Sequence, residues 1–271
     1  MKRKEVIFVI SIMVSTCIAI LLQPSVRAQE ATGTDNTGVA AVVRAYGPSG
    51  PVPAMQEAAK AFEKKRGIPV EIRAGATTIW KDRAMSDADL IFSGSQCMMT
   101  DFVQKQLPGL IDTSTILTLY LRPSAILVRP GNPKGIKGIK DLAKPGMRVL
   151  VVQGAGQVGM WEDVVGRTGN VKLLESVRRN IGFFASNSNE AKNLWASDPT
   201  YDVWLVWTIW QKENPDAADL IEIEPEHTIY RSCGIAVTNR SERKALGKEF
   251  VDFLQSPAGQ TIFVKWGWLA P

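Results

Sequence analysis

The chain is poor in the residues that most enzymes need. It has one histidine in 271 residues, His227, in the acidic loop EIEPEHTIY. Any Ser-His-Asp or Cys-His arrangement would have to use it, and no G-x-S-x-G turn accompanies it. One histidine and three scattered cysteines make no metal-ligand cluster. There is no Walker A motif, and Gly154-Ala155-Gly156 gives only the first half of a dinucleotide fingerprint. These absences exclude the common hydrolytic, metal-dependent and nucleotide-dependent chemistries, so the chain reads as a non-enzyme that needs no cofactor. There is no basic tract either, which argues against nucleic acid as a partner.

The net charge of +5 is misleading. Lys2, Arg3, Lys4 and Arg27 fall with one acid, Glu5, in the first 28 residues, and without them the balance is +2. That segment reads as a cleaved export signal. It has a charged start, an apolar run from Val6 to Leu22, and small residues Val26 and Ala28 before Gln29. An uncleaved anchor is the alternative, since the run could just span a bilayer. Cys17 lies inside the run and is not placed for lipidation. The mature protein is expected in the periplasm, with no membrane span after cleavage. Cys97 and Cys233 remain, and their spacing leaves open whether they pair.

Residues 29–38 (QEATGTDNTG) are small and polar and read as a flexible lead-in. From Val39 onward, strand-like and helix-like runs alternate. Strands are expected at Val39–Ala45, Val70–Ala74, Asp89–Phe92, Ala125–Arg129, Arg148–Val152, Val203–Trp207 and Gly234–Thr238. Helices are expected at Ala54–Lys65, from Thr77, from Ile139, from Met160 and at Glu242–Gln255. This order predicts an α/β fold with a parallel sheet.

What the chain does have is a set of small and hydroxyl residues where strands give way to helices. Five such junctions stand out: Tyr46-Gly47-Pro48-Ser49-Gly50, Gly75-Ala76-Thr77-Thr78, Ser93-Gly94-Ser95-Gln96, Gly154-Ala155-Gly156-Gln157-Val158-Gly159 and Ser186-Asn187-Ser188-Asn189. Helix N-termini present free amides and a positive dipole end. Glycine admits an anion to the backbone, and hydroxyls add donors. Each junction alone could be ordinary capping. Five at successive strand ends point to one ligand crevice. In that reading the glycines of the first junction admit the ligand, and its prolines fix the turn. Arg122 and Arg231, each next to the start of an expected strand, would balance an anion's charge. Trp204, Trp207 and Trp210 read as core, with one ring, Trp207, reaching the crevice.

Several longer stretches carry a resemblance. DADLIFSGSQ (Asp87–Gln96), ILVRPGNPKGIKGIKDLAKPGMRVLV (Ile126–Val151) and FVDFLQSPAGQTIFVKWGW (Phe250–Trp268) resemble periplasmic solute-binding proteins of the type II, sulfate- and molybdate-binding kind. Within that superfamily YGPSGP, ATTIW, GAGQVGMWEDVVGRTGN, WTIWQKENPD and IYR are similar to the accessory colonisation factor C family. The resemblance implies two α/β lobes joined by two crossover strands, with a ligand cleft between them. Lobe one would be residues 39–121 plus 234–271, and lobe two residues 122–230. The second crossover would fall at residues 230–233. It implies a small anion, an oxyanion or a carboxylate- or phosphate-bearing metabolite, clamped for an inner-membrane ABC transporter. The alternative is an adhesin, or the periplasmic partner of a sensor kinase, on the same fold. The chain departs from the molybdate binders in having GAGQVG where they carry a V-P-A-G turn.

Overall fold

The computed structural model describes residues 41–154 and 156–270. The expected leader, the lead-in, the first two residues of the expected first strand and Ala155 lie outside the described residues. Nine strands and nine α-helices follow one another within them. In chain order they are β1 (Val43–Gly47), α1 (Val52–Arg66), β2 (Val70–Ala74), α2 (Thr77–Asp87), β3 (Leu90–Ser93), α3 (Gln96–Asp101) and β4 (Leu117–Val128). Next come β5 (Val149–Val152), α4 (Met160–Gly166), α5 (Val171–Asn180), β6 (Ile181–Ala185), α6 (Ser188–Ser197) and β7 (Val203–Trp207). The chain finishes with α7 (Thr208–Glu213), β8 (Asp219–Glu222), β9 (Tyr230–Val237), α8 (Lys244–Gln255) and α9 (Pro257–Lys265).

Strand order is β2-β1-β3-β9-β4-β7-β5-β6, with β8 also on β4. The sheet is mixed, not parallel throughout as expected. β1 pairs in parallel with β2 and β3, and β5 with β6 and β7. β4 and β9 run antiparallel to each other and to the strands beside them. The reason is their role: each runs from one half of the molecule into the other. β4 pairs with β9 through Leu117–Pro123, then with β7 through Ser124–Val128. β9 pairs with β4 through Tyr230–Cys233, then with β3 through Gly234–Val237. Two α/β lobes are thus joined by two crossover strands. The part of β4 that pairs with β9 ends at Pro123, which reads as a strand breaker in sequence.

Local signals build the elements. β5 and β7 are buried along their whole length, as strands covered on both faces must be. α1 buries Ala54, Met55, Ala58, Ala59 and Phe62, one helical stripe. Phe62 meets Phe250 and Phe253 at ring separations of 5.3 and 5.5 Å, which fastens α1 to α8. Gly67 ends α1 at φ 70°, after Lys64, Lys65 and Arg66 complement the helix dipole. The two cysteines among the described residues are free thiols, Cys97 exposed and Cys233 buried. No described helix is long and apolar enough to cross a membrane.

Candidate functional site

The loops after β1, β2, β3, β5 and β6 converge on a cleft between the lobes. Two adjoining cavities, of about 430 and 390 Å³, make it up. They share Pro48, Gly75, Ala76, Met98 and Asn187 in their walls. Ser49, Gly50, Thr77, Arg122, Gly156, Ser188 and Arg231 also line one or the other. The lobes touch where a Cβ on Gly156 would come within 2.9 Å of the Ser95 hydroxyl. Gly156 has φ 80°, so glycine suits this contact for both space and backbone conformation.

Arg122 dominates the site. Its side chain reaches the cleft from the middle of β4 and is only 4% exposed. The guanidinium lies over Trp207 at 4.5 Å and near Trp268 at 5.9 Å. One Nη donates to the Gly94 carbonyl, while Nε has no partner among the described residues. No described carboxylate lies within ion-pair distance of it. Glycines flank it: a Cβ at Gly50 or Gly94 would come within 3.2 or 3.1 Å of its two Nη atoms. Burial pushes this guanidinium down to about 9; Cys233 pulls against that shift and Arg231 adds to it. Burial also pushes the Cys233 thiol up to about 12, so it is no counter-ion at neutral pH. Arg231 sits directly opposite Arg122 in the β4–β9 ladder. Like charges so placed repel. Arg231 is half-buried and tied to Asp163 of α4 at 3.2 Å, whereas Arg122 has no acid. A desolvated cation without an acid costs several kcal/mol, and ring faces return only about 2. An anion in the cleft would offset the rest.

The junctions contribute unequally. α2 begins at Thr77 with no side-chain cap on its N-cap residue, Ala76, and both residues face the cleft. Its first amides are therefore open to a ligand. α1 offers less than expected. Pro51 and Pro53 have no amide, and the Val52 amide donates to the Ser49 carbonyl. The first junction instead shapes the wall around Arg122, through Gly50 and through Pro48 against Gly94.

Seven expected residues fall elsewhere. The Trp207 ring does not reach the cleft; it is fully buried as the platform beneath Arg122. Gly47 packs against Phe92, and Gly154 against the Ser186 carbonyl, so both serve backbone packing. The Ser95 hydroxyl is buried and accepts from the Met98 amide as the N-cap of α3. Gln157 is buried behind the wall, its amide donating to the Ser188 hydroxyl at 2.5 Å. Ser93 borders a separate cavity of about 260 Å³ beside Gln96, Thr118 and Ser232. Thr78 is exposed and lies outside both cleft cavities. Gly94, named before only as part of the third junction, and Trp210, read as core, also stand in the cleft wall, while Met98 and Lys192 there carry no local signal that would have singled them out. His227 sits half-buried in its loop and lines neither cleft cavity.

The solved Peb3 of Campylobacter jejuni shares 33% identity at a TM-score of 0.75, covering 84% of this chain and 100% of that one. Another PEB3 structure, bound to L-phospholactate, matches at a TM-score of 0.76 with 33% identity and the same coverage. The periplasmic molybdate-binding protein of Azotobacter vinelandii superposes at 0.65 with 14% identity, covering 84% of this chain and 99% of its own. That is a likeness of fold alone. A sulfate-binding protein of Synechococcus elongatus is 24% identical over 186 residues, 60% of this chain. The match spans about half (49%) of that curated relative's length. A single sequence profile matches from Val43 to Leu269, from the first described strand to the last bridge of the sheet, and by it the chain belongs to the bacterial extracellular solute-binding proteins.

Proposed function

We propose that the protein is a periplasmic receptor that closes two lobes on one small anion and delivers it to an inner-membrane ABC permease. The observation that carries this reading is Arg122, a buried cation with no acid beside it, opening onto a cleft. Arg231 across the ladder, the open α2 N-terminus and the Ser49 and Ser188 hydroxyls would complete the binding shell. The names of the relatives support an anion too, since one binds sulfate and PEB3 was solved with L-phospholactate. Lobe one would hold residues 39–121 and 234–271, and lobe two residues 122–230, with the switch of partners along β4 and β9 as the hinge. Residues 1–28 would serve as the export leader, which N-terminal sequencing of exported protein checks at Gln29.

The test is a thermal-shift and calorimetry screen of the mature chain, freed of carried-over ligand by partial unfolding and dialysis. Sulfate, molybdate, phosphate, citrate and phospholactate make the panel. A ligand at 100 times its Kd adds about 2.7 kcal/mol, several degrees for a protein of this size. A single anion that shifts the wild type and not Arg122→Met is the expected result. No shift from any member would overturn the reading.

A further inference from the structure

A further cavity, of about 460 Å³, lies between α6, α7 and the end of β4, with Trp195, Trp204 and Trp210 in its wall. The indoles alone would pass for core, since their rings are 6.0–6.3 Å apart. A packed core leaves few voids larger than a water, about 30 Å³ in the liquid. This space is within the usual range for a small-molecule pocket, roughly 300–1,000 Å³.

Its lining specifies chemistry. Trp204 and Trp210 are 3% and 6% exposed, and neither indole N–H has a partner among the described residues. Both N–H groups are themselves shut off from the open space, so these two rings offer it apolar surface. Arg129 lies 3.7 Å from the Trp195 ring centroid and donates to the carbonyls of Trp195, Asp198 and Tyr201, which fixes its charge beside the rings. Lys192 is in the wall and has no described carboxylate within ion-pair distance. Flat apolar rings and two cations together fit one class of molecule. We propose that this cavity is a second binding site, for a small aromatic carboxylate, distinct from the Arg122 cleft. The two sites adjoin. Lys192 and Trp210 face both, and on α6 Ser188, Lys192 and Trp195 follow one helical stripe from one to the other.

The experiment is calorimetry of the full mature chain with 1-naphthoate as probe and 1-naphthalenemethanol as its uncharged counterpart. Wild type is expected to bind naphthoate saturably, and the alcohol about tenfold more weakly, the usual effect of losing one charge-assisted contact. Lys192→Gln should weaken naphthoate by a similar factor. Ala196→Phe fills the cavity from an exposed wall position and should abolish binding. Ala217→Leu, at another exposed wall position, repeats the block should the first variant fold poorly. Absence of saturable binding in wild type would overturn the proposal. So would binding that survives both blocking variants but disappears in Arg122→Met, because the ring would then sit in the cleft. An anion found for the cleft in the earlier screen should bind Ala196→Phe normally, so the two readings fail separately.

Discussion

The two walls of the cleft are made of similar residues and do different things with them. The lobe-two wall satisfies most of its polar groups, with the buried Gln157 Oε1 left without a described partner. Asn187 caps α6 by accepting from the Glu190 amide, Glu190 accepts from the Ser186 amide and hydroxyl, and Gln157 holds the Ser188 hydroxyl. The lobe-one wall and the crossover strands leave groups unspent. α2 starts uncapped, the Ser49 and Thr77 hydroxyls have no described partner, and Arg122 has no acid. Polar residues at a cleft are therefore poor guides until their internal partners are counted. The unspent side is where a ligand gains most, because its contacts displace nothing already made.

That contrast can be broken by experiment. The largest effect is expected from Arg122→Met. Losing the buried cation should cost an anion about 2–5 kcal/mol of binding. The same change should leave the melting temperature of the ligand-free protein level or raise it, because a buried unpaired charge has gone. A lowered melting temperature with intact affinity would show Arg122 to be structural. Next is pH. The folded guanidinium lies at about 9, well below its ordinary value, so the unfolded chain binds more protons between the two. The burial penalty is full below about 9 and is relieved as pH rises through that window. Affinity for an anion of constant charge should thus be flat to about pH 9. Above it, affinity should fall by about tenfold per unit, as titration calorimetry from pH 7 to 10.5 would show. A smaller effect is expected from Gly94→Ala. Its methyl would press on an Nη atom 3.1 Å away and shift the head group, at a cost of about 1–3 kcal/mol seen in affinity more than in stability. The smallest binding effect belongs to lobe two. Asn187→Ala should cost about 1 kcal/mol of stability through the lost cap. Its affinity should change less than that of Gly94→Ala. A larger loss of affinity from Asn187→Ala than from Arg122→Met would reverse the comparison.

Part of this was legible without coordinates. The small-residue junctions do lie at the ends of β1, β2, β3, β5 and β6, and their loops do meet. Glycine at a strand end reads as a close approach whatever approaches it. What it admits is not legible: Gly50 and Gly94 make room for Arg122, while Gly47 makes room for Phe92. The crossover strands were only half visible. Leu117, Leu119 and Leu121 alternate with Thr118, Tyr120 and Arg122, a strand signal left out of the expected elements, but Pro123 interrupts it, and the strand runs on because β9 pairs with it through that proline.

The amino-acid sequence determined the α/β alternation, the crevice-forming loops and the poverty of catalytic groups, since each rests on residue type and short spacing. Only the tertiary structure decided which polar groups are free to act. A hydroxyl, an amide or a guanidinium has the same chemistry wherever it stands in the chain. Whether it is satisfied depends on neighbours dozens of residues away, as with Gln157 and Ser188, or Arg122 and Gly94. Burial sets the cost of leaving it unpaired, and burial comes from packing the two lobes together.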